Sequence, residues 1–463
     1  MQYDLIVIGS GPGGNRAAVL AASHGLRVAI VEKAEWGGCG LNRGYLPKHD
    51  WHHTARLIAA ARGFARRGIQ GSASGDLAGA WEHARKLARS VRDAHIAQMK
   101  RLGINGFAAS ASFVDPHTIA LDGRDRLSAR HFLIATGSAP YVPKPFFLTE
   151  QRVLTTDELF GAPPPPGKRV AIVGSGAVAT ELAFILTMLG REVTWVAQNP
   201  PLSHSRFSAT ALQQLNERLR RHGIEARVGA RPEAVEMSPE GVRLILAGSS
   251  ESVLVDWVLL GTGRRPHTSG LALDAAGVNT DSKGFVKTNE YMQTAQPHIY
   301  AAGDVTNPRM SASQALADAA VAVANILAPG SRVQDRRAVP EVIHSALELG
   351  RIGVSHEAEE PGLLVGSADF GHNVRAMSQD ESDGFVRLLG DARTGTLMGA
   401  EVVGADAAEL IHLLAQRLGQ PDALRALANG FYGHPARAEA VCQAAQGLLA
   451  RLPAAAATEK AVG

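Results

Sequence analysis

The chain has 463 residues, 45% apolar and 20% charged, which at about 150 residues per domain allows about three domains and excludes a disordered chain. Lys plus Arg number 47 against 44 Asp plus Glu, and this net +3 is too small for a dedicated nucleic-acid binder. Cys39 and Cys442 are the only cysteines, which excludes a disulfide scaffold and a Cys-rich metal cage. Met1 to Gly9 carries no cationic leader, and the best apolar run, Ala177 to Leu189, contains Glu181 and is too short to span a bilayer. The expectation is a soluble, cytoplasmic, multidomain protein with no metal site.

In chain order, Asp4 to Ile8 predicts a strand, and the glycine loop Gly9 to Gly14 follows it. A helix from Arg16 to Ser23 and a strand from Arg27 to Glu32 complete a βαβ unit. Gly9, Gly11 and Gly14 form GxGxxG there, with Gly13 also in the loop, and Glu32 ends the second strand. In that context the glycines let backbone approach a pyrophosphate, the helix N-terminus faces the phosphates, and Glu32 accepts from a ribose. Helical patterns follow at about Lys48 to Ala65 and Ser74 to Leu102, the basic stretch Arg56 to Arg67 reading as a solvated face. Short strands come next, around Gly106 to Leu121 and Arg130 to Ala135.

Pro163 to Pro166 reads as a linker. Beyond it the pattern repeats: a strand Arg169 to Val173, the loop Gly174 to Ala179, a helix, and a strand Glu192 to Ala197. Two such units imply two dinucleotides, or one held and one exchanged. From about Arg332 the texture changes to hairpin strands, Phe385 to Leu389 and Leu397 to Val403, mixed with helices Ala405 to Leu418 and Ala436 to Leu449. The Ala-rich tail after Pro453 is expected to fray.

With both loops, Ala135-Thr136-Gly137, Gly261-Thr262-Gly263-Arg264-Arg265-Pro266 and Ala301-Ala302-Gly303-Asp304 on the chain, the sequence resembles the pyridine nucleotide–disulfide oxidoreductases. The likeness is to the dihydrolipoamide dehydrogenase and soluble transhydrogenase branch, over nearly the whole length. It implies an α/β fold: two Rossmann-like dinucleotide-binding domains plus a C-terminal α+β dimerisation domain. The expected boundaries are 1–150 and 276–331 for a discontinuous FAD domain, 151–275 for the NAD(P) domain and 332–463 for dimerisation. The cofactors implied are FAD and NADPH or NADH. Gly38, Asn42, His49, Ala111, Thr136, Gly137, Ser138, Asp304, Met310 and Ala312 would line the FAD. Gly174, Gly176, Ala179, Ala197, Gln198, His204, Arg206, Val228, Gly263 and Arg264 would line the nicotinamide dinucleotide and its approach to the flavin. Glu181 matches a residue beside the flavin and nicotinamide, the alternative being a plain helix-face carboxylate.

The redox motif departs from the family. Where relatives read GGTCLNxGCxPSK, this chain reads Gly37-Gly38-Cys39-Gly40-Leu41-Asn42-Arg43-Gly44-Tyr45-Leu46-Pro47-Lys48-His49. In that register Gly40 and Tyr45 replace the two cysteines, and Cys39 sits one place early without a partner. Gly40 is expected to vacate volume beside the flavin. His49 replaces the family lysine, so a His49–Glu181 contact would be pH-sensitive. The family's HxHPTxxE becomes Tyr432-Gly433-His434-Pro435-Ala436-Arg437-Ala438-Glu439, keeping His434 and Glu439. The pair either protonates an acceptor at the flavin or packs a dimer interface. Cys442 is expected as a small apolar filler. In the second unit Ala197 replaces the acid that would bind a ribose and repel a 2′-phosphate, and Gln198, His204 and Arg206 are the candidate phosphate donors.

The resemblance and the departures predict a homodimeric flavoprotein. It would carry two electrons from NAD(P)H through FAD to a small acceptor, a quinone, a second nicotinamide or a dye, without a dithiol. Two alternatives stand beside it. One is a thiol or persulfide reductase using Cys39 alone, and the other a redox-silent flavin-binding dimer with a partner role.

Overall fold

The structure is a computed structural model and describes residues 3–149, 151–248, 250–355, 362–391 and 393–451. The expectation for the tail after Pro453 falls outside the described residues. Two compact units make up the chain. The first comprises Met1–Gly174, Ile185–Gln198 and Arg227–Asp335, and the second Ser175–Phe184, Asn199–Ala226 and Arg336–Gly463.

The first unit is built on strand β1 (Tyr3–Ile8), helix α1 (Pro12–Ser23) and strand β2 (Val28–Glu32). β1 pairs parallel with β2, Ile8 opposite Val31, and on its other side with Asp125–Ile134. Both strands are apolar runs because the sheet is covered on both faces: Leu5, Ile6 and Val7 have no exposed surface. The helix begins at Pro12, earlier than its apolar period suggests, because proline at the first helical position loses no hydrogen bond. Asn105–Ala108 extends the sheet beyond β2, and Ile299–Ala301 pairs with Asp125–Ile134.

Three helices follow β2: α2 (Gly38–Arg43), α3 (Tyr45–Ala61) and α4 (Leu77–Arg101). α2 coincides with the redox-motif residues. α3 starts at Tyr45 because Pro47 falls within the first turn, where an N–H has no helical partner to lose. α4 starts at Leu77, capped by the Asp76 carboxylate, which accepts from Ala78 N at 3.0 Å and Gly79 N at 3.1 Å. A second parallel sheet holds Glu192–Ala197, Arg169–Val173, Trp257–Leu260 and Val153–Leu154 in that order.

The second unit carries a five-stranded antiparallel sheet, ordered Glu341–His344, Glu348–Gly353, Leu397–Val403, Phe385–Asp391, Leu363–Asp369. Helices Ala407–Ala415, Ala423–Ala428 and Glu439–Leu449 close its core around Val386, Leu388, Val402, Ile411 and Ala444. Gly366 lets the last helix approach, since a Cβ there would meet the Ala444 carbonyl. Among the described residues no helix is long and apolar enough to cross a membrane.

Candidate active site

The first glycine loop is shaped by contacts that leave one open face. Gly9 has φ +100° and a Cβ on it would sit 2.5 Å from the Ala135 carbonyl. A Cβ on Gly14 would strike the Gly9 carbonyl, and one on Gly13 would lie 3.1 Å from the Ala315 carbonyl oxygen. A Cβ on Gly38 would lie 2.8 Å from Gly11 Cα, while a Cβ on Gly11 meets nothing. No side chain caps the N-terminus of α1, so its first N–H groups stay available to an anion. That is the cradle a pyrophosphate needs.

Glu32 is buried, and Ser10 aims it: the Ser10 N–H and hydroxyl donate to one carboxylate oxygen at 2.9 and 2.7 Å. Ala34 N donates to the other at 2.9 Å, and the Ser10 hydroxyl accepts from Gly37 N at 2.9 Å. The oxygen that accepts only from Ala34 keeps a lone pair for a ribose hydroxyl. Asn42 spends its amide on the loop itself, donating to Trp36 O at 3.0 Å and Gly38 O at 2.9 Å.

A second set of contacts surrounds Ser138. Its hydroxyl donates to Asp304 Oδ2 at 2.6 Å and accepts from Arg264 Nε at 2.7 Å, while Arg264 Nη2 donates to the Ser138 carbonyl at 2.8 Å. Burial pushes the Asp304 carboxyl up, and the Ser138 hydrogen bond and Arg264 charge pull it back. Thr136 donates to His267 O at 2.7 Å, and Gly137, at φ +69°, accepts from His267 N at 2.9 Å. The Gly263 carbonyl accepts from Tyr141 N at 2.9 Å. Met310 takes φ +41° just before Ala312 opens helix Ala312–Leu327, and Ala111 opens strand Ala111–Asp115.

At the redox loop the expected vacancy is filled. A Cβ on Gly40 would lie 2.7 Å from Tyr45 Cε1, 2.9 Å from Cδ1 and 3.1 Å from Pro12 Cγ. The Tyr45 ring therefore occupies the volume that Gly40 was expected to leave open. Cys39 and Cys442 are both free thiols, each half-buried. Cys39 Sγ lies 3.6 Å from Asp157 Oδ1 and 3.5 Å from Arg264 Nη2. Burial pushes this thiol up, against the pull of Arg264 and Arg43. Arg43 pairs with Glu35 at 3.3 Å and Asp157 at 3.7 Å, and Arg92 with Glu35 at 3.3 Å. His49 lies exposed on α3.

In the second glycine loop, Gly174 has φ +134° and presses on the Gly261 carbonyl; its N–H donates to Val196 O at 3.0 Å and its carbonyl accepts from Trp195 Nε1 at 2.7 Å. A Cβ on Gly176 meets nothing. Ala179 and Ala197 are buried, whereas Gln198 and Val228 are exposed. In the second unit His204 is exposed, 3.3 Å from Asn199 Nδ2, and Arg206 Nη2 lies 3.5 Å from Gly353 O. Glu181 is buried rather than solvated, and its carboxylate accepts from His344 N at 2.7 Å.

His434 Nδ1 lies 2.8 Å from Glu439 Oε1, and Ala436 N donates to Oε2 at 3.1 Å. The His434 and Ala436 contacts hold the Glu439 carboxyl below its ordinary value. The segment is anchored by Asn373, donating to Ala436 O at 2.9 Å, and by buried Arg437, paired with Asp406 at 2.9 Å and with Glu381. Cys442 donates to Ala428 O at 3.2 Å.

Sequence reasoning missed Ser10, Asp157, the Arg43–Glu35 pair, His344 and Arg437. Ser10 had a signal, a small hydroxyl inside the glycine loop. Asp157 had none, because 118 residues separate it from Cys39.

The model of the pyridine nucleotide-disulphide oxidoreductase family matches residues 3–324, and that of the family's dimerisation domain residues 339–445. A dihydrolipoyl dehydrogenase of Thermus scotoductus is 35% identical over 462 residues, covering 96% of this chain and 97% of its own. A mercuric reductase of Staphylococcus aureus is 31% identical over 418 residues, 89% of this chain and 76% of its own. Among solved structures, LpdA from Mycobacterium tuberculosis superposes with a TM-score of 0.89 at 25% identity, over 96% of this chain and 99% of that one. The HOCl-induced flavoprotein disulfide reductase RclA of Escherichia coli shares the fold, with a TM-score of 0.84 at 22% identity over 96% of this chain and 99% of that one.

Proposed function

Since the chain belongs to the pyridine nucleotide-disulphide oxidoreductase family of FAD-dependent enzymes, we propose that it passes two electrons from NAD(P)H through FAD to a small acceptor, a quinone or a second nicotinamide, without an active-site disulfide. The observation that carries this reading is the Tyr45 ring lying on Gly40, where relatives carry their thiols. A half-buried Cys39 between Asp157 and Arg264, its thiol pushed up by burial, supports the same conclusion, because thiol exchange needs a thiolate.

Bound FAD supplies the two-electron relay between nicotinamide and acceptor. Gly9, Gly11, Gly13 and Gly14 hold its pyrophosphate against α1, Glu32 holds its ribose, and Asp304, oriented by Ser138, holds its ribityl chain. Gly174, Gly176 and Ala179 hold the second pyrophosphate. Ala197 leaves no carboxylate to repel a 2′-phosphate, so NADPH is accepted at least as well as NADH. Glu181 orients the nicotinamide, and His434, its imidazole fixed by Glu439, serves the acceptor side of the partner copy in a homodimer built on residues 332–463. The FAD domain spans 1–150 and 276–331, with the NAD(P) domain at 151–275.

The test is an anaerobic acceptor panel on the purified, FAD-loaded protein. 1,4-Benzoquinone or a thionicotinamide dinucleotide should be reduced, with lipoamide and glutathione disulfide slower by about a hundredfold, for lack of an exchanging dithiol. Lipoamide turnover as fast as the quinone contradicts the reading.

A further inference from the structure

Gly40 lies inside α2 and outside the set of positive-φ residues. Its backbone therefore does not require glycine, and glycine inside a helix is costly compared with alanine. What requires it is space. The atoms that a Cβ would strike are ring carbons of Tyr45 and Cγ of Pro12, which are rigid groups rather than flexible chain ends. Gly40, Tyr45 and Pro12 therefore form one interlocked contact, and Pro12 is the immediate neighbour of Gly11, whose face is open.

The Tyr45 hydroxyl has no hydrogen-bond partner among the described residues, and the side chain is 41% exposed. Burial of the remainder pushes the phenol above its ordinary value, so at neutral pH it is a neutral donor. The neighbouring thiol offers no competing chemistry, since Cys39 is turned to Asp157 and Arg264. The ring is seated on Gly40 through Cδ1 and Cε1, and the hydroxyl is unspent.

We propose that Tyr45 is the acceptor-facing residue of this site, its hydroxyl donating to a carbonyl oxygen of a flat quinone and its ring, locked on Gly40, closing the loop to dithiols. This rests on the flavin-oxidoreductase reading above. A flat carbonyl acceptor matches both features: an aromatic surface to lie against and one donor for its oxygen. Reduction of the quinone to hydroquinone takes the hydride of NAD(P)H and one proton from water.

Tyr45→Phe and Gly40→Ala, both FAD-loaded, test this in two measurements. The first follows flavin absorbance while 2-hydroxy-1,4-naphthoquinone is added to oxidised protein without nicotinamide. Tyr45→Phe should weaken binding by about tenfold, the value of one well-made hydrogen bond. The second is the ratio of kcat/KM for 1,4-benzoquinone to that for ferricyanide, which has no carbonyl. Both variants should lower that ratio, Tyr45→Phe by loss of the donor and Gly40→Ala by displacing the ring. An unchanged ratio and unchanged naphthoquinone affinity in Tyr45→Phe overturn the proposal alone. So does a wild-type protein that reduces ferricyanide but no quinone. Wild-type protein that reduces neither acceptor overturns the oxidoreductase reading itself, and this proposal with it. If Tyr45→Phe fails to fold, Gly40→Ala decides through the same ratio.

Discussion

Cys39 carries its thiol between a carboxylate and a guanidinium, Asp157 Oδ1 at 3.6 Å and Arg264 Nη2 at 3.5 Å. Burial raises it most, Arg264 lowers it, and Asp157 raises it again. Asp157→Asn removes a raising influence and leaves both lowering charges, so the thiol should titrate at lower pH. The rate of iodoacetamide alkylation of Cys39 against pH reads this directly, and its midpoint should fall; an unchanged or higher midpoint refutes the electrostatic account. In the second dinucleotide unit, Ala197→Glu places a carboxylate where a 2′-phosphate would lie, and should swing the NADH-to-NADPH ratio of kcat/KM toward NADH by about tenfold, or about 1.4 kcal/mol. Equal ratios in variant and wild type contradict that role for Ala197. The glycine loop and Glu32 were legible in the sequence because their chemistry is local. The Tyr45–Gly40 contact was not: the motif register names both residues, but only packing shows that one ring fills the other's space.

The elements follow from local rules wherever caps and periodicity agree. α4 runs for 25 residues behind an Asp76 cap, and the apolar pattern, which begins at Ser74, places its start three residues before Leu77. Asp76→Ala should cost about 1 kcal/mol, the usual loss for a capping carboxylate, read as a lower urea midpoint at constant m-value; no change would mean the cap is replaced by water. The last helix begins at Glu439 rather than Ala436 because the Glu439 carboxylate accepts from the Ala436 N–H, holding residues 436–438 outside the helix. Apolar periodicity contains no such information. The strand pairs Phe385–Asp391 and Leu397–Val403 were legible because both are apolar and joined by a short polar turn, with Asp391 Oδ1 accepting from Arg393 N at 2.7 Å and Thr394 N at 2.9 Å.

At the scale of the whole molecule, the match to a dimerisation domain at residues 339–445 predicts a twofold homodimer. Light scattering should report about twice the 48.8 kDa chain mass, and truncation from Gln420 onward should give monomers or insoluble protein, since it removes the helices Ala423–Ala428 and Glu439–Leu449 from the second core. A monodisperse, active monomer contradicts the assembly. The central claim is that electrons pass without a dithiol, and anaerobic reductive titration of the FAD-loaded protein with dithionite tests it most directly. One two-electron equivalent per flavin should bleach the chromophore completely, with the thiol count constant at two per chain before and after. Two equivalents per flavin, with additional thiols appearing on reduction, would contradict it, because a cysteine would then be storing electrons in a disulfide.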